Sequence, residues 1–301
     1  MTVWGDPLAR SPRTNPMRLL EILKSAARVL ALPFGVAGCS GPALLSATVP
    51  TDNMVVHRDL AYGGNARQKL DLYVPSNAQT PKRVLVFFYG GGWDSGAKDG
   101  YLFAARPFVE AGYIVAIPDY RVYPEVRFPA FVEDGAAALR WVADNVGRYG
   151  GETSKVYLAG HSAGAHTAAL LALDTRYVQA QLLPATYITA VAALAGPHDF
   201  TPNSATLREI FSTAPDLRQM QPTNFVRPNA PPMFLATGDD DTTVLPRNSI
   251  TLANALKARG NAVELKIYPG VGHVGIAMAL APSFDGRAPV AKDAVEFLRR
   301  Y

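Results

Sequence analysis

The run Gly160-His161-Ser162-Ala163-Gly164 sets a serine between two glycines in the spacing G-x-S-x-G. Before it, residues 156–159 are apolar and read as a short strand; after it, an Ala/Leu-rich stretch reads as a helix. A serine forced onto a sharp strand-to-helix turn is held in a strained backbone conformation, so the residues two positions to either side must lack bulk. Such a turn lifts the Ser162 hydroxyl clear of the sheet. It also leaves the Ala163 N–H at a helix N-terminus, where it can stabilise an oxyanion. The chemistry these residue types allow is nucleophilic attack on an acyl carbon. The motif also arises by chance in a chain with 25 glycines, and a turn of small residues that merely packs strand on helix would look the same. The other parts of the reaction must therefore be present too.

A serine nucleophile needs a base, an acid to orient the base, and donors for the oxyanion. The chain has five histidines. His57 precedes the strands, His161 is the variable residue of the motif, and His166 lies one helical turn beyond Ser162, directed into packing. His198 opens an irregular segment. His273 closes Pro269-Gly270-Val271-Gly272-His273, a flexible loop after the last apolar run, from which an imidazole can reach back over the sheet edge. His273 is the candidate base. Three acids in a row, Asp239-Asp240-Asp241, leave the end of another strand, giving the order Ser…Asp…His; the local sequence leaves the choice among them open. The oxyanion donors are sought in Tyr89-Gly90-Gly91-Gly92-Trp93, directly after an apolar strand, where three glycines let backbone N–H groups approach a ligand with no Cβ in the way.

These parts need a scaffold that delivers them to one edge. Residues 59–62 and 69–74 read as two strands joined by Gly63-Gly64-Asn65, a hairpin at a sheet edge. Further strands fall at 83–89, 113–118, 156–159, 188–194, 232–238 and 262–268. Helices fall at 101–111 (kinked by Pro107), 131–149, after 163, at 247–259 and at 289–301. Strand alternating with helix predicts a mostly parallel central sheet with helices on both faces. Residues 197–232 break the pattern, being polar and Pro-rich with one helical piece at 205–211, and read as a short lid-like insertion beside the site.

The chain has 301 residues, 49% hydrophobic and 18% charged, enough to bury a large core. The net charge of +4 comes without a Lys/Arg cluster interleaved with aromatics, which argues against a nucleic-acid partner. Cys39 is the single cysteine, so an intrachain disulfide and a Cys-rich zinc site are excluded. Residues 1–50 differ from the catalytic body at 51–301. Arg18, Lys24 and Arg28 precede an apolar run at 29–37 that leads into Gly38-Cys39, which resembles a bacterial lipoprotein signal with Cys39 as the lipidated residue. Residues 40–51 would then be a tether, and the protein an exported lipoprotein, periplasmic or membrane-anchored. The alternative is an amphipathic helix at 19–32 in a cytoplasmic protein.

Taken together these residues resemble the carboxylesterase/lipase group of the α/β-hydrolase fold, marked by an H-G-G-G-[FW] oxyanion loop. The likeness runs from about residue 55 to the C-terminus. Besides the serine motif it includes 119–134, Gly238-Asp-Asp-Asp241-Thr-Thr-Val244 as a G-x-x-D-x-x-V segment, and Tyr268-Pro-Gly-Val-Gly-His273. It implies Ser162 as nucleophile with Asp241 and His273 as its partners. It also implies the N–H groups of Gly91, Gly92 and Ala163 as the oxyanion hole, with no metal or organic cofactor. Tyr89 departs from the group, standing where histidine is usual; that histidine shapes the loop, and a tyrosine hydroxyl can take over its hydrogen bonds. The expected function is a serine hydrolase of small carboxylic esters, with Trp93 and the 197–232 insertion bordering the pocket. The alternatives are an arylformamidase-like amidase and a hydrolase-fold binding protein without catalysis.

Overall fold

The structure is a computed structural model and describes residues 1, 40–76, 81–284, 286 and 288–301. Cys39 and the expected signal at 17–39 lie outside the described residues. Contacts divide the chain at 37/38, and every element below belongs to the unit 38–301. In chain order these are α1 (Ser40–Ala47), β1 (Met54–Ala61), β2 (Lys69–Pro75), β3 (Val84–Phe88), α2 (Leu102–Glu110), β4 (Ile114–Pro118), α3 (Ala130–Asn145), β5 (Val156–His161), α4 (Ala163–Leu173), α5 (Arg176–Ala180), β6 (Ile188–Leu194), α6 (Ala205–Ile210), β7 (Met233–Gly238), α7 (Arg247–Ala258), β8 (Val263–Tyr268), α8 (His273–Met278) and α9 (Val290–Arg299).

The strands form one sheet in the order β1-β2-β4-β3-β5-β6-β7-β8. The pairs β1/β2 and β2/β4 are antiparallel, and all the others are parallel. β3, β4 and β5 are buried at every residue, the signature of strands covered on both faces. On one side α2 and α9 pack together; α3 and α4 pack together on the other. The helix α4 is buried at all 11 of its positions, which its Gly, Ala and Leu composition allows. No helix among the described residues is long and apolar enough to cross a membrane.

The parallel order decides where the candidate groups meet. β3 lies beside β5, with Phe88 opposite Gly160, so the glycine run after β3 comes out next to the serine turn after β5. β7 and β8 follow one strand further on and deliver the aspartates and His273 to the same edge, the carboxyl ends of the parallel strands.

Three differences from the sequence expectations have local causes. The first strand begins at Met54 rather than 59, because β2 offers it a full-length partner, with Met54 opposite Pro75. Residues 40–51 are not a bare tether. The Ser46 hydroxyl donates to the Gly100 carbonyl (2.7 Å), while Leu45 and Val49 pack on the core; α1 is too short to show a helical period. The predicted loop at 269–273 passes at His273 into α8, six residues long and just as short for periodicity.

One ionic cluster, buried at Lys98 and Asp71 and exposed at its rim, fastens the hairpin to the loop before α2. Lys98 Nζ lies 2.9 Å from carboxylate oxygens of Asp59, Asp71 and Asp99, and Asp71, fully buried, also meets Arg58 at 2.9 Å. Burial pulls the lysine pKa down, but its hydrogen bonds to Asp99, Asp71 and Asp59 more than offset this and hold it above the usual value. Removing one partner leaves a buried charge poorly compensated. Lys98→Met is expected to cost about 3 kcal/mol of unfolding free energy in urea titration; a loss near zero would mean that Arg58 alone neutralises Asp71.

Candidate active site

The serine turn is as tight as its glycines permit. Ser162 has φ 55° and ψ −123°, a left-handed conformation that a residue with a side chain adopts only under constraint. A methyl group added at Gly160 would lie 2.5 Å from the Gly164 carbonyl oxygen, and one at Gly164 only 2.0 Å from that of Phe88. The two flanking glycines therefore let β3, β5 and α4 touch through their backbones. The Ser162 N–H donates to the Leu194 carbonyl (2.9 Å), anchoring the turn to β6.

The structure brings Ser162, His273 and Asp241 into one line. His273 Nδ1 is 2.8 Å from Asp241 Oδ2, and His273 Nε2 is 2.8 Å from Ser162 Oγ. A carboxylate can only accept, so Nδ1 carries the proton and the bare Nε2 faces the serine hydroxyl. Asp241 is buried; its Oδ1 accepts from the N–H groups of Thr243 (2.9 Å) and Val244 (2.8 Å). These bonds hold the carboxylate still without neutralising it. The other two aspartates go elsewhere: Asp239 accepts from the Gly270 N–H (2.7 Å), tying down the loop that carries His273, and Asp240 is exposed.

The glycine loop after β3 turns with φ 132° at Gly91, 58° at Gly92 and 62° at Trp93. The Gly91 carbonyl accepts from the N–H groups of Asp94 (3.1 Å) and Ser95 (3.0 Å). Among the described residues the N–H groups of Gly91, Gly92 and Ala163 donate to no backbone carbonyl, so they are available at the serine. Tyr89, in the place usual for histidine, sets this path. Its hydroxyl donates to Asp119 (2.6 Å) and accepts from Arg67 (3.1 Å), which also donates to the Gly96 carbonyl (2.8 Å). The ring stacks between Tyr101 and Tyr120 at centroid distances of 5.1 and 4.8 Å. Burial raises the tyrosine pKa well above its ordinary value and keeps the hydroxyl a donor. The phenol reaches further than an imidazole would, to an aspartate at the end of β4.

Gly92, Trp93, Ser162 and Ala163 open onto a cleft of about 350 Å³ whose other walls include Pro197, Phe200 and Leu207 of the insertion and Val244 and Leu245 after β7. Trp93 stacks on Phe200 (5.9 Å between centroids) and meets His166 and Phe211 edge-on. The insertion is fastened from below where His166 Nε2 donates to the Met220 carbonyl (2.7 Å), and within it the Gln221 side chain brackets Phe200. Among the described residues no group of three His, Cys, Asp or Glu side chains could hold a metal ion. Sequence reasoning passed over two site residues. Phe200 gave no signal in an irregular segment. His161 gave one, by preceding the serine, and its Nε2 lies 3.1 Å from the His273 carbonyl oxygen.

The BD-FAE family model matches residues 70–256. Over 249 residues the chain is 33% identical to Carboxylesterase NlhH of Mycobacterium tuberculosis, covering 75% of this chain and 76% of that one. It is 31% identical over 243 residues to Isoprenylcysteine alpha-carbonyl methylesterase ICME of Arabidopsis thaliana, covering 73% of this chain. The chain spans 51% to 64% of the length of the plant methylesterases it matches. Among solved structures it is similar to a truncated carbohydrate esterase from gut microbiota (TM-score 0.73, 22% identity, 83% of this chain and 97% of that one). It is also similar to Esterase B from Lactobacillus rhamnosis (TM-score 0.73, 21% identity, 94% and 97%).

Burial pushes the pKa of His161 down to about 3, that of His166 to about 4 and that of His198 to about 3; a neighbouring histidine lowers His161 and His198 further. All three are neutral when folded and take up protons near 6.5 when unfolded. Between those limits the unfolded chain binds more protons, so stability is fully present above about pH 6.5 and is lost as pH falls towards 4. Each histidine contributes up to about 1.4 kcal/mol per pH unit in that window. Urea unfolding at pH 7, 6, 5 and 4 should trace the loss, and His198→Leu should flatten it; an unchanged slope in that variant would mean that His198 is protonated in the folded protein.

Proposed function

The chain belongs to the BD-FAE family and has the α/β-hydrolase fold, and from that footing we propose that it is a serine hydrolase of carboxylic esters. The observation that carries this reading is the unbroken line from Asp241 through His273 to Ser162, with 2.8 Å at both joints. His273 Nε2 takes the hydroxyl proton as Ser162 Oγ attacks the acyl carbon, and the carbonyl π electrons move to oxygen. Asp241 keeps the imidazole in the right tautomer and stabilises its charge. The N–H groups of Gly91, Gly92 and Ala163 receive the oxyanion. As the intermediate collapses, the C–O bond to the alcohol breaks and the imidazolium protonates the departing oxygen. Water then repeats the sequence on the acyl-enzyme, His273 acting first as base and then as acid to restore Ser162. Every proton moves between side chain, substrate and water.

Size and walls favour a small or aromatic ester. A cleft of about 350 Å³ sits at the lower end of small-molecule sites, and Trp93 with Phe200 offers a flat apolar wall. The names of the relatives, a carboxylesterase and a carbonyl methylesterase, support an ester rather than another acyl bond. An arylformamidase-like amidase is the second reading, favoured by the same aromatic wall.

The test is hydrolysis of p-nitrophenyl acetate and butyrate by the full chain, beside an N-formyl anilide. Ser162→Ala and His273→Ala should each lower kcat by on the order of 10⁴ to 10⁶, and Asp241→Asn by about 10⁴ through loss of the correct tautomer. A Ser162→Ala protein that still turns over the esters would sink the mechanism; faster cleavage of the anilide would select the amidase. The sequence at 17–39 supports export with lipidation at Cys39, and mass spectrometry of the natively expressed protein should find a diacylglyceryl modification there. An unmodified Cys39 in the full chain would overturn it.

A further inference from the structure

We propose that His161 is a positioning residue for the base: it clamps the main chain of His273 to the strand that ends in the nucleophile. The proposal rests on the esterase reading above.

His161 is the last residue of β5, immediately before Ser162, and is 6% exposed. Its Nε2 lies 3.1 Å from the backbone oxygen of His273. A carbonyl can only accept, so this nitrogen carries the proton and Nδ1 is the bare one. The two imidazole rings lie 4.8 Å apart and are tilted by 43°. On its other flank the ring abuts the oxyanion loop, since a methyl group at Gly90 would lie 3.0 Å from His161 Nδ1. One neutral ring therefore touches all three moving parts of the reaction: elbow, base and oxyanion loop. Burial, reinforced by the adjacent His273, keeps it uncharged, so it places no repelling charge beside the imidazolium that forms in turnover.

The clamp answers a mechanical need. Asp241 fixes the His273 ring, and the main chain under that ring needs its own fixing point. It runs from Gly270, with φ 66°, through Gly272 into α8, six residues long. Gly270 is tied by Asp239 three residues upstream. The His161 bond attaches the His273 carbonyl itself to β5. Residue 161 then holds the backbone of the base, and residue 162 meets its ring. Any displacement of β5 carries nucleophile and base together, which keeps the reactive joint at 2.8 Å. A glutamine reaches similarly and keeps an N–H; leucine and methionine fill similar space without one.

The experiment compares full-chain His161→Gln, His161→Leu and His161→Met with wild type on p-nitrophenyl butyrate. Folding is checked by circular dichroism and thermal melting. Misplacing a reacting group by a fraction of an ångström to one ångström costs up to about 100-fold. The two apolar variants should therefore lose on the order of 10- to 100-fold in kcat with KM nearly unmoved, and the glutamine variant should recover most of the loss. A second readout needs no turnover. The His273 Nδ1–H shared with Asp241 gives a far-downfield proton resonance, which should persist in the glutamine variant and broaden or vanish in the apolar ones. Should leucine fail to fold, methionine and glutamine decide. Equal losses in glutamine and the apolar variants, or full kcat and an intact resonance without the donor, would overturn the clamp. An inactive wild type with the resonance behaving as described would overturn the ester reading alone.

Discussion

Everything in this molecule hangs on a place where three backbones touch with no side chain between them. At Gly160 and Gly164, β5 and α4 press against each other and against the end of β3, with no room for a methyl group on either residue. That contact forces Ser162 into its left-handed conformation. It also brings the glycine loop of β3 up beside the Ser162 hydroxyl. Close packing of this kind is bistable rather than elastic. A turn so constrained cannot relax by small amounts, and the rest of the site can be assembled around it as around a fixed point.

The surroundings are arranged to keep that point fixed. Polar groups next to it are paired in chains: Arg67 to Tyr89 to Asp119 under the glycine loop, and Thr243 and Val244 to Asp241 to His273 beside Ser162. In a low-dielectric interior such chains hold their members more tightly than the separate bonds would in water. The first chain also accounts for a departure from the family pattern. Tyr89 takes an aspartate at the end of β4 as its partner, and two neighbouring tyrosines sandwich its ring. The loop keeps its positive-φ path while its support changes.

How much of this was legible in the sequence follows from the range of the forces involved. The elbow was readable because half of its cause is local: a methyl group at Gly160 would strike Gly164 four residues on, whereas Gly164 is required by the end of β3, which only the motif's spacing signalled. The strands were readable because double burial demands unbroken apolar runs, as at β3 and β5. His273 was identifiable from its place after the last strand. Among Asp239, Asp240 and Asp241 the local chain gave no preference, because consecutive side chains leave a turn in different directions and only the packed structure shows which one is buried under His273; the family segment was needed to choose Asp241. Trp93 was expected at the pocket and does line the cleft. Residues 40–51 read as a tether because α1 is eight residues long and its attachments, through Ser46, Leu45 and Val49, are all tertiary. His161 was dismissed as the variable position of a motif. Its partner is 112 residues away, beyond anything spacing can reveal.

The insertion at 197–232 has a consequence for how the cleft is entered. It is sewn to the body by the bond from His166 to Met220 and by an aromatic cluster in which Phe200 and Phe211 close on Trp93, and it is braced internally by the Gln221 bracket around Phe200. The wall that Phe200 and Leu207 present to the cleft beside Ser162 is therefore set by the same packing that holds the core, and a change at His166 or Phe211 would reshape the mouth without touching it.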